Sequence, residues 1–284
     1  VRRLLDSRLL RKANARLGEG GDGPLLSLPP KSVAAGSLRL GEVVFERERW
    51  PFGIRTTELT QHLSVFGRSG AGKSNLVFVL LDQLIEQGIP FVFLDWKRTA
   101  RHMLPRLGKP VNIYTPGRTI APFPFNPFLP PPGMERKVYI NMVIDVMAAA
   151  MTLGDGATSL LQKALIDESD GDIDTMTLSR LQESIGGMVV SGRASGWKVS
   201  AMRALNSLRV SGIGTGTPES QMALMQRLGK ESNILELDAL NGSAKKFLVP
   251  LLCLWLYHLH LSGSQREELK QVVIVEEAHH FFFR

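Results

Sequence analysis

The sequence predicts an α/β fold with a mainly parallel sheet, on three observations. A glycine-rich turn at 67–74 stands between an apolar run and an amphipathic helix. Continuous apolar runs of strand length, PFVFLD at 90–95 and QVVIV at 271–275, are of the kind buried on both faces of a parallel sheet. Between them lies a long stretch of helical periodicity, and 44% hydrophobic residues over 284 positions suffice for a sizeable core.

In chain order, 1–17 carries leucines at 4, 5, 9, 10 and 17 among six Arg and Lys and one acid, which predicts a basic amphipathic helix. It suits a neighbouring subunit or domain, with a membrane surface, import machinery or an acidic partner as alternatives. Residues 18–31 are a Gly- and Pro-rich connector. Residues 37–50 alternate apolar and charged side chains and predict an edge strand or hairpin. The run at 62–66 predicts a short strand, 73–87 a helix stopped by Gly88, and 90–95 a buried strand, together a βαβ unit.

Residues 111–114 predict a further strand, whereas the prolines of APFPFNPFLPPP at 121–132 exclude helix there. Apolar stripes predict helices at 134–153, 157–167, 177–189 and 198–208, an inserted helical block. Residues 211–220 predict a loop, 232–238 a strand, 243–261 a buried helix and 271–275 the last strand. The expected division is 1–36 basic helix and linker, 37–133 the first part of a nucleotide-binding core, 134–225 the helical insertion, and 226–284 the second part of the core. Val1 in place of Met, and an end shortly after a strand, lead us to expect a segment of a longer protein.

Residues 67–74, GRSGAGKS, fit the phosphate-loop pattern G-x-x-x-x-G-K-[ST] at every fixed position. Gly67, Gly70 and Gly72 open backbone conformations that turn successive N–H groups inward as an anion nest. The following helix directs its positive end to the same point. Lys73 is placed to reach β- and γ-phosphates, and Ser74 to offer a hydroxyl to Mg²⁺. Arg68, Ser69, Ala71 and Asn75 complete the nucleotide-binding stretch.

Hydrolysis also needs an acid for the Mg²⁺ shell and a base for water. An apolar strand ending in Glu276 and Glu277 delivers both to the carboxyl edge of the sheet, where such sheets bind ligands. Glu276 is the metal-side candidate and Glu277 the water-orienting one.

VFGRSGAGKSN, FLDWKR, FNPF and IVEEAHHF, in this order, resemble the HerA and FtsK superfamily of ring-forming DNA motors, the HerA branch most. The resemblance runs from about residue 41 onward. It implies a RecA-like P-loop NTPase core, ATP and Mg²⁺ as cofactors, a homo-hexamer around duplex DNA, and a partner nuclease. By the same resemblance Lys73 and Ser74 bind phosphate and metal, Glu276 stands where most motors carry Asp, and Glu277 is the catalytic carboxylate. Two rivals share the core: an ATPase of conjugation or secretion machinery, and a nucleotide-gated scaffold that organises a nuclease in antiviral defence.

A net charge of +7 favours polyanionic partners, though nucleotides satisfy part of it. No acid occurs from 96 to 134, where Lys97, Arg98, Arg101, Arg106, Lys109 and Arg118 lie; Lys97, Arg98 and Arg101 are the leading DNA-contact candidates. The alternatives for them are a solvated face or intersubunit salt bridges. A second acid-free stretch, 186–218, holds Arg193, Lys198, Arg203 and Arg209. A single cysteine, Cys253, excludes a disulfide framework or thiolate cluster and fits a reducing, cytoplasmic compartment. The apolar run at 247–261 is too short to span a bilayer and contains Pro250. His279 and His280 lack zinc-site spacing.

Overall fold

The computed structural model describes residues 30–45, 47–102, 110–169, 176–261, 263 and 268–282. The predicted helix at 1–17, the connector after it up to residue 29, Arg106 and Lys109 lie outside these. The chain divides into two compact units, Val1–Gln87 with Glu267–Leu269, and Gly88–Arg266 with Lys270–Arg284.

In the first unit, a short helix α1 (Lys31–Ala34) precedes an antiparallel hairpin of β1 (Leu38–Phe45) and β2 (Glu48–Ile54). The alternation along 37–50 is thus satisfied by a hairpin, and its second strand continues to Ile54. A Cβ on Gly53 would lie 2.5 Å from the Leu38 carbonyl oxygen, so only glycine lets the two backbones close there. Helix α2 (Lys73–Glu86) buries Leu80, Leu81, Leu84 and Ile85, one stripe at helical spacing. It is tied to β1 through one side chain. Gln83 Nε2 donates to the Arg39 carbonyl at 2.9 Å, and Gln83 Oε1 accepts the Arg39 N–H at 2.6 Å.

The strand predicted at 62–66 does not form. Leu63, Val65 and Phe66 are exposed by 49%, 36% and 84%, and no described strand pairs with this run. An apolar run becomes a strand only when a neighbour completes its backbone hydrogen bonds, and none of the described strands does so.

The second unit holds a four-stranded parallel sheet in the order β4–β5–β3–β6: β3 (Phe91–Asp95), β4 (Asn112–Tyr114), β5 (Asn233–Glu236) and β6 (Val272–Val275). Every residue of β3 and β5 is buried, the polar Asp95, Asn233 and Glu236 included, while β6, the outer strand predicted to be covered on both faces, is mostly half-buried. Asp95 pairs with Glu236 across β3 and β5, and Leu94 with Val275 across β3 and β6. That register sets the ends of three strands level.

The helical block comprises α3 (Arg136–Met151), α4 (Asp155–Ser169), α5 (Leu178–Gly187), α6 (Arg193–Val210) and α7 (Pro218–Lys230). Helix α7 corrects the loop predicted through 220: the loop ends at Thr217. Its hydroxyl accepts the Ser220 N–H, Ser220 Oγ accepts the Thr217 N–H at 2.8 Å, and Pro218 sits in the first turn, a reciprocal cap. Helix α8 (Gly242–Leu261) is the buried helix expected, with Phe247, Leu248, Leu251, Leu252, Trp255 and Leu256 in the core. No described helix is long and apolar enough to cross a membrane.

The proline-rich run is core. Asn126, 1% exposed, receives the Phe128 N–H on Oδ1 at 3.1 Å and donates Nδ2 to the Met176 carbonyl at 2.7 Å. Tyr139 donates to the Pro127 carbonyl at 3.0 Å and the Trp255 indole to the Leu129 carbonyl at 3.2 Å. These bonds satisfy backbone that prolines remove from regular structure. Short helix α9 (His279–Phe282) follows β6.

Candidate active site

The phosphate loop has the geometry its sequence calls for. Gly70 and Gly72 take φ of +76° and +92°, a region in which a side chain is strained, and Gly72 directly precedes α2. A Cβ on Gly67 would meet that of Ala71 at 3.1 Å, so the turn is also tight at its start. Lys73 Nζ bends back and donates to the carbonyls of Gly67 at 2.8 Å and Arg68 at 3.2 Å. With Ser74 and Asn75 opening the helix and no acid in its first turn, the N-terminal end stays electropositive.

In the second unit, three consecutive strand ends carry carboxylates: Glu236 on β5, Asp95 on β3 and Glu276 just beyond β6. The parallel register brings them to one edge, neighbouring strands being about 4.8 Å apart. The Glu276 N–H donates to the Leu94 carbonyl at 3.2 Å, extending the ladder to the acid itself. Glu276 Oε2 accepts the Trp96 N–H at 3.1 Å. Burial first, then the charge of Asp95 and a hydrogen bond with it, push the Glu276 carboxyl above its ordinary range. The Glu276 carboxylate offers hard oxygen donors at this edge, of the kind suited to a divalent cation such as Mg²⁺.

Asp95, fully buried, orders the loop that follows it. Its Oδ1 accepts the N–H groups of Lys97 at 3.2 Å and Thr99 at 2.9 Å, and its Oδ2 that of Ala100 at 2.9 Å. The loop so held aims cations back at the carboxylate row. Lys97 Nζ meets Glu277 Oε1 at 2.5 Å; Arg101 grips the 1%-exposed Glu236 through both arms at 2.6 and 2.8 Å. Arg118 and Arg98 lie 2.6 and 3.8 Å from Asp238. The basic stretch set down as DNA contacts therefore pairs within the chain at Lys97, Arg98, Arg101 and Arg118, because strand register stations an acid opposite each.

Glu277 has φ of +54°, unusual for a residue with a side chain. The hydrogen bond and charge of Lys97 hold its carboxyl below the ordinary range, and Glu277 raises the Lys97 ammonium in turn. His279 Nδ1 lies 3.3 Å from the other oxygen, Oε2. His280 stacks on Trp96 at 4.7 Å, and the Lys245 ammonium stands 4.0 Å from the indole, its pKa lowered by burial. Glu277, His279 and His280 bring one ligand atom each within 4.8 Å, a proximity their spacing in sequence did not predict.

At this edge the sequence reading named Glu276 and Glu277 and did not name Asp95, Glu236, Asp238 or Lys245, which the structure brings to it. The available signal was that 90–95 and 232–238 both end in acids, which a parallel sheet must carry to the same side as Glu276.

Residues 38–152 match the family model described as "Helicase HerA, central domain". No curated protein sequence matches significantly. Among solved structures, VirB4 of Thermoanaerobacter pseudethanolicus aligns at a TM-score of 0.57 with 16% identity, over 86% of this chain and 68% of that one. The bacterial conjugative coupling protein TrwBdeltaN70, unbound monoclinic form, aligns at 0.54 with 16% identity, over 81% and 58%. Plasmid coupling protein TrwB in complex with ADP and Mg²⁺ aligns at 0.53 with 14% identity, over 81% and 67%. The chain thus spans between 58% and 68% of the length of these structures.

Proposed function

We propose that this chain, which carries a HerA-type P-loop ATPase core, is the motor of an ATP-driven DNA translocase or helicase, turning over ATP between subunits of a homo-hexameric ring. The observation that carries the reading is the phosphate loop: a nest opened by Gly70 and Gly72 at the start of α2, with an ammonium already turned onto it. Phosphate oxygens would take the place of the Gly67 and Arg68 carbonyls as acceptors for Lys73. Mg²⁺, when bound, neutralises phosphate charge. Ser74 on the phosphate loop would offer it a hydroxyl, and Glu276, beside Asp95 at its own sheet edge, is the acid that the HerA likeness names for its shell. Glu277 orients the attacking water as general base. This is catalysis by positioning and charge neutralisation.

For DNA contact, the pairing of Lys97, Arg98 and Arg101 shifts the reading to α6. Arg193, Arg203 and Arg209 are exposed there, and no carboxylate partners them among the described residues. Contacts of this kind hold backbone phosphate without reading sequence, as translocation requires. We place the motor in the cytoplasm on its single cysteine, with a nuclease as the partner that the HerA likeness suggests.

A second reading is equally supported: an ATPase of conjugation machinery, favoured by the fold shared with the conjugative coupling protein TrwB. A nucleotide-gated scaffold is a third. Steady-state ATP hydrolysis by the intact protein with and without long duplex DNA, at low and moderate salt and alongside its mass in solution, separates them. Turnover raised several-fold by DNA in a ring supports the translocase. Turnover indifferent to DNA rejects it in favour of a secretion ATPase or scaffold.

A further inference from the structure

Glu277, the residue read above as the base, is not free to orient a water in this structure. One of its oxygens accepts Lys97 Nζ at 2.5 Å and the other faces His279 Nδ1 at 3.3 Å. Its backbone is held at φ +54°, a sparsely populated region that persists where the surroundings over-determine it. Lys97 in turn is anchored at its backbone by Asp95 and leads a loop whose own fold does not depend on its ammonium. The Lys97 side chain is 59% exposed, and that of Glu277 24%. An anion from solution can therefore reach the lysine, and what it takes from Glu277 is a partner in water-accessible surroundings, an ion pair of modest strength.

We propose that Lys97 is a positioning residue that holds Glu277 in a resting ion pair, and that a phosphate oxygen which captures the Lys97 ammonium releases Glu277 for hydrolysis. The inference rests on the reading of Glu277 as base. Lys97 touches no reacting atom in this scheme; it acts through Glu277 alone. The ligand that shifts the pair must bind Lys97 better when it is detached, which a phosphate does because it replaces the departed carboxylate with another anion. Two sources supply such an oxygen, the nucleotide itself and the backbone of bound nucleic acid. An ion pair this exposed is worth up to about 1 kcal/mol, so the restraint on turnover is about two- to five-fold.

The test measures kcat and KM for ATP in the intact protein for Lys97→Ala, Lys97→Arg and Glu277→Gln, with no addition, with duplex DNA and with inorganic polyphosphate. Lys97→Ala is expected to raise basal kcat about two- to five-fold with KM unchanged, and Lys97→Arg to restore the low basal rate. If DNA and polyphosphate then no longer stimulate Lys97→Ala, the releasing oxygen comes from a polyanion. If they stimulate it in the same ratio as the wild type, it comes from the nucleotide. A basal kcat in Lys97→Ala equal to or below that of the wild type, in protein that melts normally and binds nucleotide normally, overturns the proposal. Glu277→Gln isolates the underlying reading: wild-type turnover in that variant rejects Glu277 as base, whereas an inactive Glu277→Gln beside an unaccelerated Lys97→Ala rejects only the ion pair as a restraint.

Discussion

In the function proposed above Lys73 serves binding and Glu277 turnover, and single substitutions test that division. Lys73→Ala removes the ammonium that bends over the loop, and we expect nucleotide binding to be lost in a fluorescent-nucleotide titration. Glu277→Gln keeps shape and is expected to bind ATP while losing at least about 100-fold in kcat, the scale of a general base. Glu276 carries a different cost. Its carboxyl is raised by burial and by Asp95, so the folded protein binds its proton more tightly than the unfolded chain does. The stability this contributes is complete below the ordinary carboxyl pKa and is lost as pH rises through the raised value. Above that raised value the paired charges are a net burden, of the kind active sites accept. Glu276→Gln, which replaces a charge with a donor toward Asp95, should therefore raise the melting temperature at neutral pH and abolish Mg²⁺-dependent turnover. The gain should disappear on acidification; a melting temperature lowered at neutral pH would count against the like-charge account.

At the scale of elements, the proline-rich run shows how backbone without regular structure is stabilised in a core. Asn126 replaces two missing ladder bonds with its own side chain, to Phe128 and Met176. Asn126→Ala leaves a buried N–H and a buried carbonyl unpaired and should cost about 2–3 kcal/mol, read as a lower denaturant midpoint at unchanged m-value. This segment also marks the limit of what periodicity conveys. Strand 91–95 and helix 242–261 were legible because each writes its burial directly as an apolar run or stripe; 272–275 also forms a strand, but at the end of the described sheet and mostly half-buried instead of covered on both faces as its apolar run predicts. Helix α7 was not, since its start looks like the end of a Gly- and Thr-rich loop until Thr217 and Ser220 are seen to cap one another. The run at 62–66 was over-read for the opposite reason: its residues favour strand, but a strand is made by its neighbour. The turn at Gly70 and Gly72 and the helix start behind it were legible, being local. The pairing of Arg101 with Glu236 and of Lys97 with Glu277 was not, for the partners are 135 and 180 residues apart and meet only through sheet register.

At the scale of the whole molecule, a net charge of +7 says less about DNA than the placement of its unneutralised part. The acid-free stretch at 96–134 is the more basic in sequence, yet its described cations are drawn onto Glu277, Asp238 and Glu236. In the stretch at 186–218 Lys198 is also engaged, donating to the carbonyls of Gly186 and Met188, each at 2.7 Å, at the end of α5. What remains is Arg193, Arg203 and Arg209, exposed on one helix. If these hold DNA backbone, changing all three to Gln should weaken binding to any duplex sequence alike and flatten the dependence of log K on log salt by about one unit for each phosphate no longer neutralised. Lys97→Ala should leave that slope within about half a unit of the wild type unless DNA phosphate is what detaches it from Glu277. A triple variant with unchanged affinity and slope would remove α6 from the DNA path, and basal ATP turnover measured beside it would show whether the motor itself had been disturbed.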